Sequence, residues 1–100
     1  MTDLAKWDAA LTSDRLIPHA LLEQAFTSSR LTSGAATGYG FGWYVDEFAA
    51  EKRLRHDGTT IGFRNAIERY PDRGLTIIVL TNRNDAKPFV YADAVASALL

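Results

Sequence analysis

The chain has 100 residues, 47% of them hydrophobic and 23% charged, and its formal net charge is −1. That suits one small domain with one core, and the scattered Lys and Arg exclude the basic footprint of a nucleic-acid or anionic-membrane binder. With no cysteine, disulfides, thiol catalysis and Cys-type zinc sites are excluded too.

In chain order, Thr2 or Asp3 is placed to cap a helix with Leu4, Trp7 and Leu11 on one face. Ser13-Asp14-Arg15 breaks it. Pro18 opens a second short helix whose apolar positions are Leu21, Leu22, Ala25 and Phe26. Residues 27–38, rich in Thr, Ser, Gly and Ala, read as a loop.

Tyr39 to Val45 reads as a strand whose glycines, Gly40 and Gly42, invite close approach of another backbone. Asp46 to Ala50 reads as a solvated turn, Lys52 to His56 as a second strand, and Phe63 to Tyr70 as a third with Phe63, Asn65 and Ile67 on one face. Pro71-Asp72-Arg73-Gly74 has the residues of a hairpin turn. Leu75 to Leu80, nearly all apolar, predicts a central strand covered on both faces. Pro88 starts a last helix with Phe89, Val90, Val95, Leu99 and Leu100 available for packing. Helices before and after adjacent strands imply an α+β fold: an antiparallel sheet of about four strands with N-terminal helices and a C-terminal helix packed on it.

Leu54-Arg55-His56-Asp57-Gly58-Thr59-Thr60-Ile61-Gly62-Phe63 is the most informative stretch. Taken alone, His56 reads as a surface or structural histidine, Gly58 as a turn residue and Gly62 as a bulge or bend. Asp57 points away from His56 if both lie on one strand. Trp7 and Trp43 read as core residues. The histidines are His19 and His56, with no His-Glu-x-x-His, so no metal site is expected, and no motif calls for a cofactor.

Tyr39-Gly40-Phe41-Gly42-Trp43, then His56-Asp57-Gly58, then Gly62-Phe63, then Tyr70-Pro71-Asp72 and the strand ending at Thr81-Asn82 follow in a fixed order. Asp3-Leu4-Ala5-Lys6-Trp7 precedes them. This ordered set resembles the C-terminal part of the serine β-lactamase, penicillin-binding-protein and esterase family, of the class C type with a His-x-Gly third motif. In that family the third motif is Lys-Thr-Gly or His-x-Gly on a strand lining the cleft beside the nucleophile. The resemblance implies that His56 and Gly58 bind substrate and that the Thr59 backbone N–H is one of two oxyanion donors. It also implies ester, amide or β-lactam substrates, hydrolysed through a serine acyl-enzyme in the complete protein.

The other motifs of the family are absent. Ser13, Ser28, Ser29, Ser33 and Ser97 have no Lys three positions later, and Tyr44-Val45-Asp46, Tyr70-Pro71-Asp72 and Tyr91-Ala92-Asp93 end in Asp where the second motif has Asn. Residues 1–100 are therefore expected to form one domain, the C-terminal segment of such a hydrolase, inactive alone. The alternatives are a non-catalytic domain binding a small carboxylate or peptide, and a self-associating domain with an exposed sheet edge. Met1-Thr2-Asp3-Leu4 carries no signal peptide and no run is long enough to span a membrane, which points to the cytoplasm, or to the periplasm if the chain is a cut piece.

Overall fold

The computed structural model describes residues 1–100. Helices α1 (Thr2–Ala10) and α2 (His19–Ala25) precede strands β1 (Tyr44–Phe48), β2 (Glu51–Thr60), β3 (Phe63–Tyr70) and β4 (Leu75–Thr81), and helix α3 (Pro88–Leu99) follows. The sheet is antiparallel throughout, in the order β1-β2-β3-β4. The α+β expectation holds. No helix is long and apolar enough to cross a membrane.

Alternation along the strands divides the core in two. Leu54 on β2 joins Leu11, Leu22 and Trp43 on the face covered by α1 and α2. Tyr70 and Ile77 join Ala92 and Ala96 on the face covered by α3. Trp43 anchors the first cluster, stacked on Trp7 at 6.3 Å and edge-on to Phe26 at 5.7 Å. The Arg69 Nε–H donates to Asp8 Oδ1 at 2.6 Å and ties α1 to β3.

Several boundaries differ from the sequence reading. Helix α1 starts at Thr2 with Met1 as its cap residue and no side-chain cap bond. Tyr39–Trp43 is not a strand, because Gly38 and Gly42 take positive φ and bend the chain. Gly40 does meet another backbone: a Cβ there would lie 2.1 Å from the Ala25 carbonyl oxygen. Strand β1 instead runs through Asp46 and Glu47, and the turn is just Ala49-Ala50 with φ of 52° and 62°, a two-residue hairpin of the type that matches strand twist. Strand β2 does not stop at His56 but continues to Thr60.

The Pro71–Gly74 turn forms as read, with Gly74 left-handed at φ 58°. Strand β4 is an edge strand, not a central one. Its Ile77 is buried under α3, while Leu80 stays half exposed on the other face. Helix α3 buries Pro88, Ala92 and Ala96, and leaves Val90, Val95 and Leu99 largely exposed. Small residues, rather than the large apolar ones expected, let the helix approach the sheet closely. Trp7 is likewise 42% exposed rather than core.

Candidate functional site

Strand β1 covers β2 from Glu51 to Arg55 and stops there. From His56 to Thr60, β2 has β3 on one side and no strand on the other. The pair closing a two-residue hairpin exchanges hydrogen bonds, and pairs alternate from that point. Thr60–Phe63 closes the β2–β3 hairpin, so His56 and Gly58 turn their backbone groups toward β3. Asp57 and Thr59 turn theirs outward. The β1 hairpin, closed at Phe48–Glu51, gives the same parity. The Thr59 N–H therefore lies on an open strand edge, free for an incoming acceptor.

Side chains alternate the other way. His56 and Gly58 share the α1 face with their β3 partners Ile67 and Asn65. They border an open groove of about 400 Å³ whose apolar walls include Leu4, Trp7, Ile67, Ile78 and Leu80. His56 is exposed, with its Nδ1 3.5 Å from the Tyr39 hydroxyl and its ring nearly parallel to Tyr44 at 6.1 Å. Asp57 is exposed on the opposite face from His56. Gly58 is inside the strand, not in a turn, and its backbone is not in the left-handed region. A Cβ at Gly58 would meet nothing closer than the Asn65 amide nitrogen at 3.8 Å. The fold leaves room there for a side chain that the sequence does not supply.

The sequence-derived residues His56, Gly58 and Thr59 thus come together at one free edge, beside a groove. No serine joins them as an activated nucleophile. The Ser13 and Ser28 hydroxyls donate to the Ala10 and Ser29 carbonyls, and no serine hydroxyl bonds a lysine or histidine. No group of three or more His, Asp or Glu side chains is placed to hold a metal ion.

On the α3 face of β2 lies an ion network that the sequence reading missed. The Arg53 guanidinium donates to both Asp46 oxygens at 2.8 Å and to Asp93 of α3 at 2.8 Å, and lies 3.5 Å from Glu68. Glu68 is fully buried and accepts the Tyr70 hydroxyl proton at 2.8 Å. Burial pushes the Glu68 carboxyl above its usual range, more than Tyr70 and Arg53 draw it down. Burial also pushes Asp46 up, but the Arg53 and Arg55 guanidiniums outweigh it and hold Asp46 lower than usual. The Arg55 guanidinium lies 4.8 Å from the Phe89 ring and 5.9 Å from the Tyr44 ring. Alternation carried the available signal, since Arg53 and Arg55 fall on the face opposite Leu54 and His56.

Comparison with known proteins decides the family. The family model described as Beta-lactamase matches residues 1–100. The chain belongs to the β-lactamase family. It is also 35% identical over 92 residues to penicillin-binding protein 4* of Bacillus subtilis (strain 168), a match covering 91% of this chain and 20% of that protein. The chain thus spans about a fifth of the length of that relative. Membership in this serine hydrolase-related, penicillin-binding-protein-like family agrees with the α+β sheet and with the resemblance seen in the sequence.

Proposed function

We propose that this chain is the C-terminal segment of a β-lactamase-related serine hydrolase and supplies one wall of its cleft. In the complete protein, a serine carried elsewhere attacks an ester, amide or β-lactam carbonyl and forms an acyl-enzyme. The Thr59 N–H is one of the two donors that hold the developing oxyanion. His56 presents a hydrogen bond or positive charge to the bound substrate, and Gly58 lets the substrate backbone lie against the strand.

The observation that carries this reading is the unpaired stretch of β2. The bound substrate takes the place of a neighbouring strand from His56 to Thr60, where β1 has ended. Two further facts support it: Gly58 is not required by the fold, and the groove beside His56 is apolar with few polar groups, the usual character of a small-molecule site.

The test uses the reading frame extended upstream of Met1. An in-frame Ser-x-x-Lys that is labelled by a fluorophosphonate or fluorescent β-lactam supports the proposal. His56→Ala is then expected to lower the acylation rate by about 10²-fold, the low end for a positioned proton or hydrogen-bond donor. A native start at Met1 with no such partner motif overturns it. It would favour a non-catalytic domain binding a small carboxylate or peptide along the same edge.

We also propose that the chain by itself associates through β4. This edge strand, Leu-Thr-Ile-Ile-Val-Leu-Thr, carries no charge, proline or bulge to block pairing. Sedimentation of the purified chain is expected to show dimers or larger species as concentration rises. A monomer at high concentration would contradict this.

A further inference from the structure

Tyr39 opens the Tyr39–Trp43 motif but has no role assigned so far, and its hydroxyl lies against the His56 ring. Its position is built from several directions. The Tyr39 carbonyl accepts the Ser29 N–H at 2.8 Å, and the Gly38 carbonyl accepts the Val45 N–H at 2.8 Å. The Gly38 N–H donates to the Ser28 hydroxyl at 2.9 Å. Gly40, next along, is seated against the Ala25 carbonyl, where no side chain fits. The Tyr39 ring packs edge-on to Tyr44 at 4.8 Å, and the Arg55 guanidinium lies 5.9 Å from the Tyr44 ring. The bend that breaks the expected Tyr39–Trp43 strand therefore delivers one phenol to one imidazole nitrogen.

We propose that Tyr39 is a positioning residue for His56. Its O–H donates to Nδ1 of the neutral imidazole, so that the ring carries its proton on Nε2. The Nε2–H is then the ring donor left for a ligand of the groove that His56 lines. A histidine presents one donor and one acceptor when neutral, and the partner of one nitrogen decides the role of the other. Tyr44, nearly parallel to the His56 ring at an interplanar angle of 22°, limits ring rotation without contributing a polar bond. The 3.5 Å separation is longer than an ordinary hydrogen bond, so the contact is a weak one. Its effect is therefore on the choice of tautomer, not on the stability of the fold. The inference rests on the proposed role of His56 as a donor, but the state of the ring is a property of this chain and is read without any reaction.

The experiment is a long-range ¹H–¹⁵N correlation spectrum of the His56 ring, at a pH where the ring is neutral. The chain as given is compared with Tyr39→Phe and Tyr44→Phe. In the parent the Nε2–H form is expected to dominate. Tyr39→Phe is expected to shift the tautomer ratio roughly twofold toward Nδ1–H, the population change at the weak end for one hydrogen bond. Tyr44→Phe, which keeps the ring, is expected to leave the ratio unchanged. A parent ring protonated on Nδ1 overturns the proposal by itself, even if a variant fails to fold. An unchanged ratio in a folded Tyr39→Phe variant overturns it as well. Failure of serine labelling in the extended protein would remove the hydrolase reading and leave this result standing.

Discussion

At Gly58 a methyl group would meet nothing closer than 3.8 Å, whereas at Gly40 it would stand 2.1 Å from a carbonyl oxygen. The two glycines therefore answer to different demands. Gly58→Ala is expected to leave the stability of this chain within about 0.5 kcal/mol of the parent in urea titration. The same change in the complete protein is expected to weaken substrate binding, because on the proposed reading the methyl projects from the strand against which substrate lies. A loss above about 2 kcal/mol would make Gly58 a folding residue instead. The buried carboxyl of Glu68 sets a pH dependence whose sign follows from burial. Its folded-state value is raised above the ordinary 4.5. Its contribution to stability is thus complete below that value and is lost as pH rises through the higher folded value. Asp46 behaves oppositely. It contributes above its ordinary 3.8 and loses that contribution as pH falls through its lower folded value. Glu68→Gln cannot ionise and keeps an acceptor for the Tyr70 hydroxyl. Its melting temperature relative to the parent is expected to improve from about pH 4 to about pH 8. A difference that is flat, or that falls with pH, would show Glu68 ionised and paired throughout.

Elements bounded by local turn chemistry were legible in the sequence. Strand β3 spans Phe63–Tyr70 as read, because its alternation is clean and Pro71 and Gly74 punctuate its end. The stretch Tyr39–Trp43 misled because aromatic residues favour strands, while the deciding facts, the positive φ of its neighbours and the seat of Gly40, are tertiary. Strand β4 reads as central because it is apolar throughout, and composition does not report whether a neighbour is present. Helix α3 is apolar nearly all round, so periodicity could not choose its buried face; Ala92 and Ala96 won by size. Helix α1 shows what tertiary bonds must supply when a helix buries no residue of its own. It is held by the Trp7–Trp43 stack and by Arg69, whose side chain is 8% exposed where it meets Asp8. Removing one partner of so sheltered a pair leaves the other charge uncompensated, at a cost of about 3 kcal/mol. Arg69→Ala is expected to destabilise the chain by that amount and to release α1 first, read as faster amide exchange in Thr2–Ala10. Exchange that accelerates uniformly across the sheet would contradict a local tether.

The whole molecule is a sheet with two unlike faces and two open edges. One face carries the buried ion network that joins β1, β2 and β3 to α3 through Arg53. The other carries the groove bordered by His56 and Gly58. The residues of the candidate site could be named from the sequence because they lie on one strand and need no folding to become neighbours. What the sequence did not disclose is that this strand outruns β1, which leaves Thr59 on a free edge. That depends on how far a neighbour extends. On the proposed reading the chain carries one wall of a cleft and no nucleophile, and an acyl-enzyme needs both. The most direct measurement is the intact mass of the purified 100-residue chain after incubation with a fluorophosphonate and with a fluorescent β-lactam. The unmodified mass alone is expected with both. A covalent adduct mapped to one of its own serines, and lost in His56→Ala, would contradict the account, because this chain would then have assembled a nucleophile of its own.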